Sequence, residues 1–177
     1  IYFHADSVIL TVYRSTREVG IYGLAYKVFE LPLVVPIFFM NSVYPMLLTS
    51  MRQGAKSRAH PTTQEVFRKS FLFLLASSVG IGAGLWFTAP LLSVIRPDFS
   101  ESVAPLRVLL LGLPIFFVSA LYMWFIIAEK RQGVLIVIHG IAMVGNILAN
   151  AVFVPVHGYF ASAWITTASE AFVLVVS

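Results

Sequence analysis

Four charged side chains fall inside apolar stretches of this 177-residue chain: Asp6, Lys27, Glu30 and Glu170. Charged groups surrounded by hydrocarbon are costly and usually face a bundle interior or a watery cavity. On one continuous helix, Tyr22, Tyr26, Glu30, Asn41 and Tyr44 fall within about 100° of arc, with Leu33 and Ile37 leaving an apolar gap in the stripe. Lys27 borders that stripe and stands three residues from Glu30, a spacing at which the two can pair. Pro32 and Pro36 lie outside the stripe and are expected to bend the helix. A bent helix with tyrosine, carboxylate and ammonium on one face suits a polar cavity. The opposing reading is that Lys27, roughly 37 Å along a straight helix from Arg52, snorkels to the outer interface. Tyr2, Asp6 and Tyr13 share another face, and Asp6 reads either as functional or as a carboxylate bonded to a neighbouring helix. Gln132, His139, Asn146 and Asn150 align on a third face, where interhelical hydrogen bonding is the usual role for amides and His139 can carry a proton. Tyr159, Ala163, Thr166 and Glu170 align on a fourth, placing Glu170 roughly 16 Å into its span, where a carboxylate is neutral, paired or in water.

The elements that must hold these residues follow from composition. The chain is 59% hydrophobic and only 11% charged, against about 25% charged for a soluble globular domain. That balance excludes both a soluble domain and a disordered chain and indicates an integral membrane protein. A bilayer-crossing helix needs about 20 mostly apolar residues. Stretches 31–51, 70–95 and 108–128 carry no charge, and 132–169 divides at Pro155, His157 and Gly158. The expectation is an all-α integral membrane protein of six transmembrane helices, at about 1–13, 18–51, 66–95, 102–128, 132–154 and 158–177. The chain starts at Ile1 and stops at Ser177 in mid-helix, so it is expected to be a fragment of a longer protein. Gly80, Gly82 and Gly84 are expected to serve packing or flexibility, and Pro114 to mark a kink.

Charge placement sets orientation. Arg52, Lys56, Arg58, Arg68 and Lys69 follow the second helix, and Lys130 and Arg131 follow the fourth. The opposite side carries Arg14, Arg17, Arg96 and Arg107. The excess places the loops after helices two and four in the cytoplasm by the positive-inside rule. The basic groups read as a topology signal, and no nucleic-acid partner is expected. With no cysteine, disulfides and thiolate metal sites are excluded, and His4, His60, His139 and His157 lack ligand spacing. No metal site and no catalytic residue are expected. With no nucleophile elbow, Walker loop or HExxH, the expectation is a transporter or part of one, not an enzyme.

Two ordered sets of residues carry a resemblance. The first is Asp6, "VGIY" at 19–22, a basic residue, "ELP" at 30–32 and "YP" at 44–45. The second is Asn146, Asn150, Pro155, Gly158, the small residues Ala161 to Ala163, and Glu170. Together they resemble the second six-helix lobe of polysaccharide flippases in the multidrug/oligosaccharidyl-lipid/polysaccharide exporter superfamily. The resemblance implies a two-lobed protein whose missing N-terminal lobe faces this one across a cavity. It also implies a bacterial or archaeal cytoplasmic membrane, membrane lipids as surroundings, and a lipid-linked glycan, commonly on undecaprenyl diphosphate, as cargo. Lipid II flippases share a pattern matched here by Ala25, Lys27, Glu30 and Pro32, with Arg where this chain has Lys27. Lys lacks the bidentate fork of Arg toward a diphosphate.

On that resemblance, Lys27 attracts the anionic headgroup while Tyr22, Tyr26 and Asn41 contact sugar or phosphate. Asp6, Glu30 and Glu170 are the candidates for exchanging a coupling proton or Na⁺, and no other cofactor is implied. Alternatives are a lipid II flippase, a drug/cation antiporter of the same superfamily, and a non-transporting membrane scaffold.

Overall fold

The computed structural model describes residues 5–53, 61–95 and 97–177. Tyr2, His4, Lys56, Arg58, His60 and Arg96 lie outside the described residues. The described chain forms helices α1 (Ala5–Tyr13), α2 (Thr16–Glu30), α3 (Val34–Gln53), α4 (Thr63–Thr88), α5 (Leu91–Ile95), α6 (Val103–Ala128), α7 (Gln132–His157) and α8 (Tyr159–Val176). Short 3₁₀ turns at Leu31–Leu33 and Pro97–Ser102 precede α3 and α6. Among the described residues there is no strand. Among the described residues, five stretches are long and apolar enough to cross a membrane: Thr16–Arg52, Thr63–Val94, Pro97–Ala128, Gln132–His157 and Tyr159–Val176; the nine-residue α1, in the first expected span, is not one of them. The chain is therefore a multi-pass, all-α membrane protein.

Local chemistry explains the helix ends. Ser15 caps α2 by accepting the Glu18 amide. Thr62 and Glu65 open α4 with a reciprocal capping box, Thr62 Oγ1 accepting from the Glu65 amide and Glu65 Oε2 from the Thr62 amide. This satisfies donors that a helix start otherwise leaves orphaned. The span expected at 66–95 divides into α4 and α5 around Ala89 and Pro90. The helix expected to end at 154 runs on to His157, because Pro155 sits in its last turn and the terminator is Gly158. Gly158 has φ of 64°, a backbone region in which a side chain is strained. Arg14 reaches across from the α1–α2 turn and donates from Nε to the Val154 carbonyl (3.1 Å) and from Nη2 to the Pro155 carbonyl (2.9 Å). Those carbonyls end α7, where a cation is favoured.

Helix α6 is the centre of the bundle. It packs against α2, α3, α4 and α8 and buries Leu106, Leu109, Leu113, Phe117 and Leu121. Phe116 meets Phe29 of α2 edge-on at 5.1 Å, and Tyr44 of α3 packs on Trp124 at 5.1 Å. Phe67 of α4 inserts between Tyr122 and Phe125. With no hydrophobic drive between helices in lipid, such close packing supplies much of the cohesion. Pro114 leaves the Leu110 carbonyl without its usual i+4 donor, and that carbonyl approaches Gly82 of α4. Of the three glycines expected to serve packing, Gly82 meets a neighbour, while Gly80 and Gly84 face open space.

Gly112 makes the tightest approach among the described glycines. A Cβ there would lie 2.9 Å from both Cγ2 and Oγ1 of Thr167 on α8. Thr167 is buried, and its hydroxyl donates to the Ala163 carbonyl. Gly112→Ala should therefore destabilise the protein by about 1–3 kcal/mol, the usual range for overpacking. Gly80→Ala should leave stability unchanged or slightly raised. Thermal unfolding in detergent checks both, and an unshifted midpoint in Gly112→Ala would contradict this packing.

Candidate functional site

The stripe expected along α2 and α3 divides in two. A 3₁₀ turn advances about 120° per residue against about 100° in an α-helix, so three such residues rotate the following helix by about 60°. The 3₁₀ turn at Leu31–Leu33 contains Pro32, which has no amide hydrogen to continue the α ladder. Val34 donates instead to the Leu31 and Pro32 carbonyls. The rotation carries Asn41 away from the face of Tyr22 and Tyr26 and onto the face of Lys27. It also brings Pro32 and Pro36, expected outside the polar face, onto the buried side with Met40.

Burial follows that division. Tyr22 and Tyr26 are 0% and 3% exposed, so the structure does not place them on a surface where a ligand would touch them. They belong to the core, with ring centroids 5.8 Å apart and Tyr26 against Phe29. Lys27 is 72% exposed in its side chain and donates from Nζ to Glu30 Oε2 at 3.0 Å. The i, i+3 pairing expected from spacing is present. Asn41 and Ser42 are exposed and Thr49 is half-buried; the hydroxyls of Ser42 and Thr49 donate to the carbonyls of Phe38 and Pro45. Pro45, inside α3, leaves the Asn41 carbonyl without an i+4 amide donor. The longest span thus carries an exposed face with a charge pair at one level and a group of amide, hydroxyl and carbonyl functions at another.

The other acids are buried. Asp6 is 1% exposed, and its Oδ2 accepts from the hydroxyls of Tyr22 and of Thr166 (3.1 Å). One carboxylate thereby ties α1, α2 and α8 together. Glu170, one turn along α8 from Thr166, is 5% exposed and lines a groove of about 650 Å³ between α3, α6, α7 and α8. His139 and Ser119 line the same groove. Its other walls are apolar, with Phe116, Met123 and Met143 prominent. Asn146 and Asn150 take the packing role: Asn146 donates to Ser169 (3.0 Å), Asn150 donates to the Asn146 side chain (3.0 Å), and Ser162 donates to Asn150 (2.9 Å). Gln132, assigned to the same face, is exposed.

The two ends of the lobe differ. Thr63 and Gln64 share a cleft with Glu129 and Arg131, which puts the α3–α4 and α6–α7 connections at one end. Arg14, Arg17, Glu18, Glu101 and Tyr159 gather at the other. There Arg17 pairs with Glu101 at 2.5 Å and Arg14 with Glu18 at 3.8 Å. Among the described residues, no group of His, Cys, Asp and Glu side chains is arranged to hold a metal ion. Ser119, Met123 and Met143 were not expected at a site. Ser119 had one sequence signal, as a small hydroxyl side chain deep in the charge-free stretch of α6.

Fold and geometry together define a multi-pass helical bundle with a buried polar strap, a groove lined by one buried carboxyl group and an exposed charge pair. Comparison with known protein families, curated proteins and solved structures returned no match.

The buried and exposed polar groups should respond oppositely to substitution. Asp6→Ala strands two hydroxyls, each worth about 1–3 kcal/mol when left unsatisfied and buried, and should lower the unfolding midpoint clearly. Lys27→Ala removes one exposed ion pair, worth at most about 1 kcal/mol, and should scarcely move it. Equal losses in both variants would contradict the division into a buried strap and a free face.

Proposed function

We propose that this chain is one lobe of a polysaccharide flippase of the multidrug/oligosaccharidyl-lipid/polysaccharide exporter superfamily. It works with a second lobe to move a polyprenyl-diphosphate glycan across a bacterial or archaeal cytoplasmic membrane by alternating access. The observation that carries this reading is the set of polar side chains exposed on α2 and α3 among apolar ones such as Leu31 and Phe38. Lys27, Glu30 and Asn41 lie on a membrane-spanning helix yet outside the core of the lobe. Lipid gives such groups no hydrogen-bond partners, so a face of this composition suits a water-filled cavity or a polar ligand. The ordered motifs through Glu30, Pro32, Asn146 and Gly158 point the same way.

In this reading the Lys27 ammonium is held in place by Glu30 until an anionic headgroup arrives. A diphosphate offers more negative charge than one carboxylate, so Lys27 turns from Glu30 toward it. Because Lys is a point charge with rotatable donors, it can follow the headgroup as the cavity changes shape. Asn41 offers an amide donor and acceptor to sugar hydroxyls. Tyr22 and Tyr26 support α2 from behind. Release follows when the lobes rock and the headgroup meets water on the far side, where Glu30 recovers Lys27.

Reconstituted protein supplied with a fluorescent diphosphate-linked glycan tests this. Lys27→Ala should reduce flipping by about tenfold or more, the equivalent of about 1.4 kcal/mol, and Lys27→Arg should retain a substantial part of it. Unchanged flipping in Lys27→Ala would remove Lys27 from the cavity and the reading with it.

A further inference from the structure

Two of the described arginines, Arg14 and Arg107, are half-buried. Arg14 is engaged by the carbonyls that end α7 and by Glu18. Arg107, in the first turns of α6, has no carboxylate or carbonyl partner among the described residues. Its guanidinium lies instead over the Trp86 ring of α4, 5.2 Å from the ring centroid. Nε is enclosed without an acceptor, and it is the only nitrogen of the group so enclosed. Nη1 and Nη2 therefore reach the surface, also without a protein acceptor. A snorkelling arginine extends freely toward water, whereas this one is held by a ring and by the protein around Nε. A guanidinium fixed in this way, with both terminal nitrogens accessible, is a fork for an oxyanion.

Its depth selects the oxyanion. Helix α6 has 26 residues, about 39 Å, against a hydrocarbon core of about 30 Å. The excess is roughly 4–5 Å at each end, and Arg107 lies about 6 Å from Val103 at the helix start. Trp86 stands in the last turn of α4, at the level where tryptophan rings mark the edge of the hydrocarbon. The pair thus sits where headgroups begin, at the end of the bundle that carries Arg17 and Glu101. Leu111, one turn deeper on the same face of α6, is exposed, as is Phe87 beside Trp86. Ala104, one turn nearer the helix start, is exposed and small, which leaves room for a headgroup. From the helix start inward the face presents space, a cation and hydrocarbon. That order matches a phospholipid, and a free phosphate would leave the hydrocarbon unused.

We propose that Arg107 and Trp86 form a binding site for the phosphodiester of a membrane phospholipid. Nη1 and Nη2 donate to its two unesterified oxygens, Trp86 fixes the plane of the guanidinium, and an acyl chain lies along Leu111. The lipid supplies the acceptors that the protein does not. The inference stands apart from the transporter reading, since it needs neither a glycan nor a second lobe.

Native mass spectrometry of the full-length protein released from detergent resolves single lipid-binding steps and provides the test. With phosphatidylglycerol, the first step should be tighter than later ones, and Arg107→Gln should weaken it about tenfold, the scale of lost charge-assisted hydrogen bonds. Trp86→Leu keeps the charge but frees the guanidinium, and should weaken the step about two- to fivefold. Arg17→Gln, at the same end, should leave it unchanged. Diacylglycerol with the same chains should show no tight step, and ammonium phosphate at equal concentration should not displace the lipid. Thermal unfolding separates binding from packing: phosphatidylglycerol should raise the midpoint of the wild type more than that of Arg107→Gln. An unchanged first step in either Arg107→Gln or Trp86→Leu, equal binding of diacylglycerol, or displacement by phosphate would each overturn the proposal.

Discussion

Pro32 has no amide hydrogen, so the helix that contains it cannot continue its i to i−4 ladder through this point. The chain resolves the break with one 3₁₀ turn, from Leu31 to Leu33, and the placement of polar groups in the lobe depends on that turn. It rotates α3 against α2 so that Met40 and Leu47 join the core while Asn41 faces outward with Lys27. The span from Thr16 to Arg52 has 37 residues and would be about 55 Å long if straight, more than a bilayer core of about 30 Å. One missing hydrogen thus bears on which side chains of the longest span meet the rest of the bundle.

Around that span the lobe treats its intramembrane charges in three ways. Asp6 is consumed in structure, since two hydroxyls from different helices converge on it. Lys27 and Glu30 neutralise each other on a face the lobe does not cover. Glu170 is buried yet reaches a groove with an imidazole and a hydroxyl. Unfavourable placement of charge in hydrocarbon is therefore resolved by bonding, by pairing, or by access to a polar volume. Helix α6 gives these arrangements a rigid reference, because it is predominantly apolar and packs against α2, α3, α4 and α8.

The spans were legible in the sequence because lysine and arginine avoid the bilayer, so charges such as Arg52, Lys69 and Arg131 mark its edges. The α7–α8 amides were legible for a similar reason: Asn146 and Asn150 on one helical face have few alternatives to bonding a neighbour. The faces of α2 and α3 were not legible. A period of 3.6 residues carried through Pro32 grouped Asn41 with Tyr22, and a local change of pitch at three residues undid that grouping. The groove was not legible either, since Ser119, His139 and Glu170 come from three helices and share no local pattern. The end of α7 was misplaced by three residues because Pro155 looks like a terminator, whereas the backbone at Gly158 does the work.

The transport reading of this lobe requires that the outward face of α3 meets water while the tyrosine face of α2 does not. The chain contains no cysteine, so a single cysteine can report on each face without background from this lobe. In intact membranes, Asn41→Cys should react with a membrane-impermeant thiol reagent, and Tyr26→Cys should stay unreactive until the protein is denatured. An unreactive Asn41→Cys beside a reactive Tyr26→Cys would contradict the account at its root.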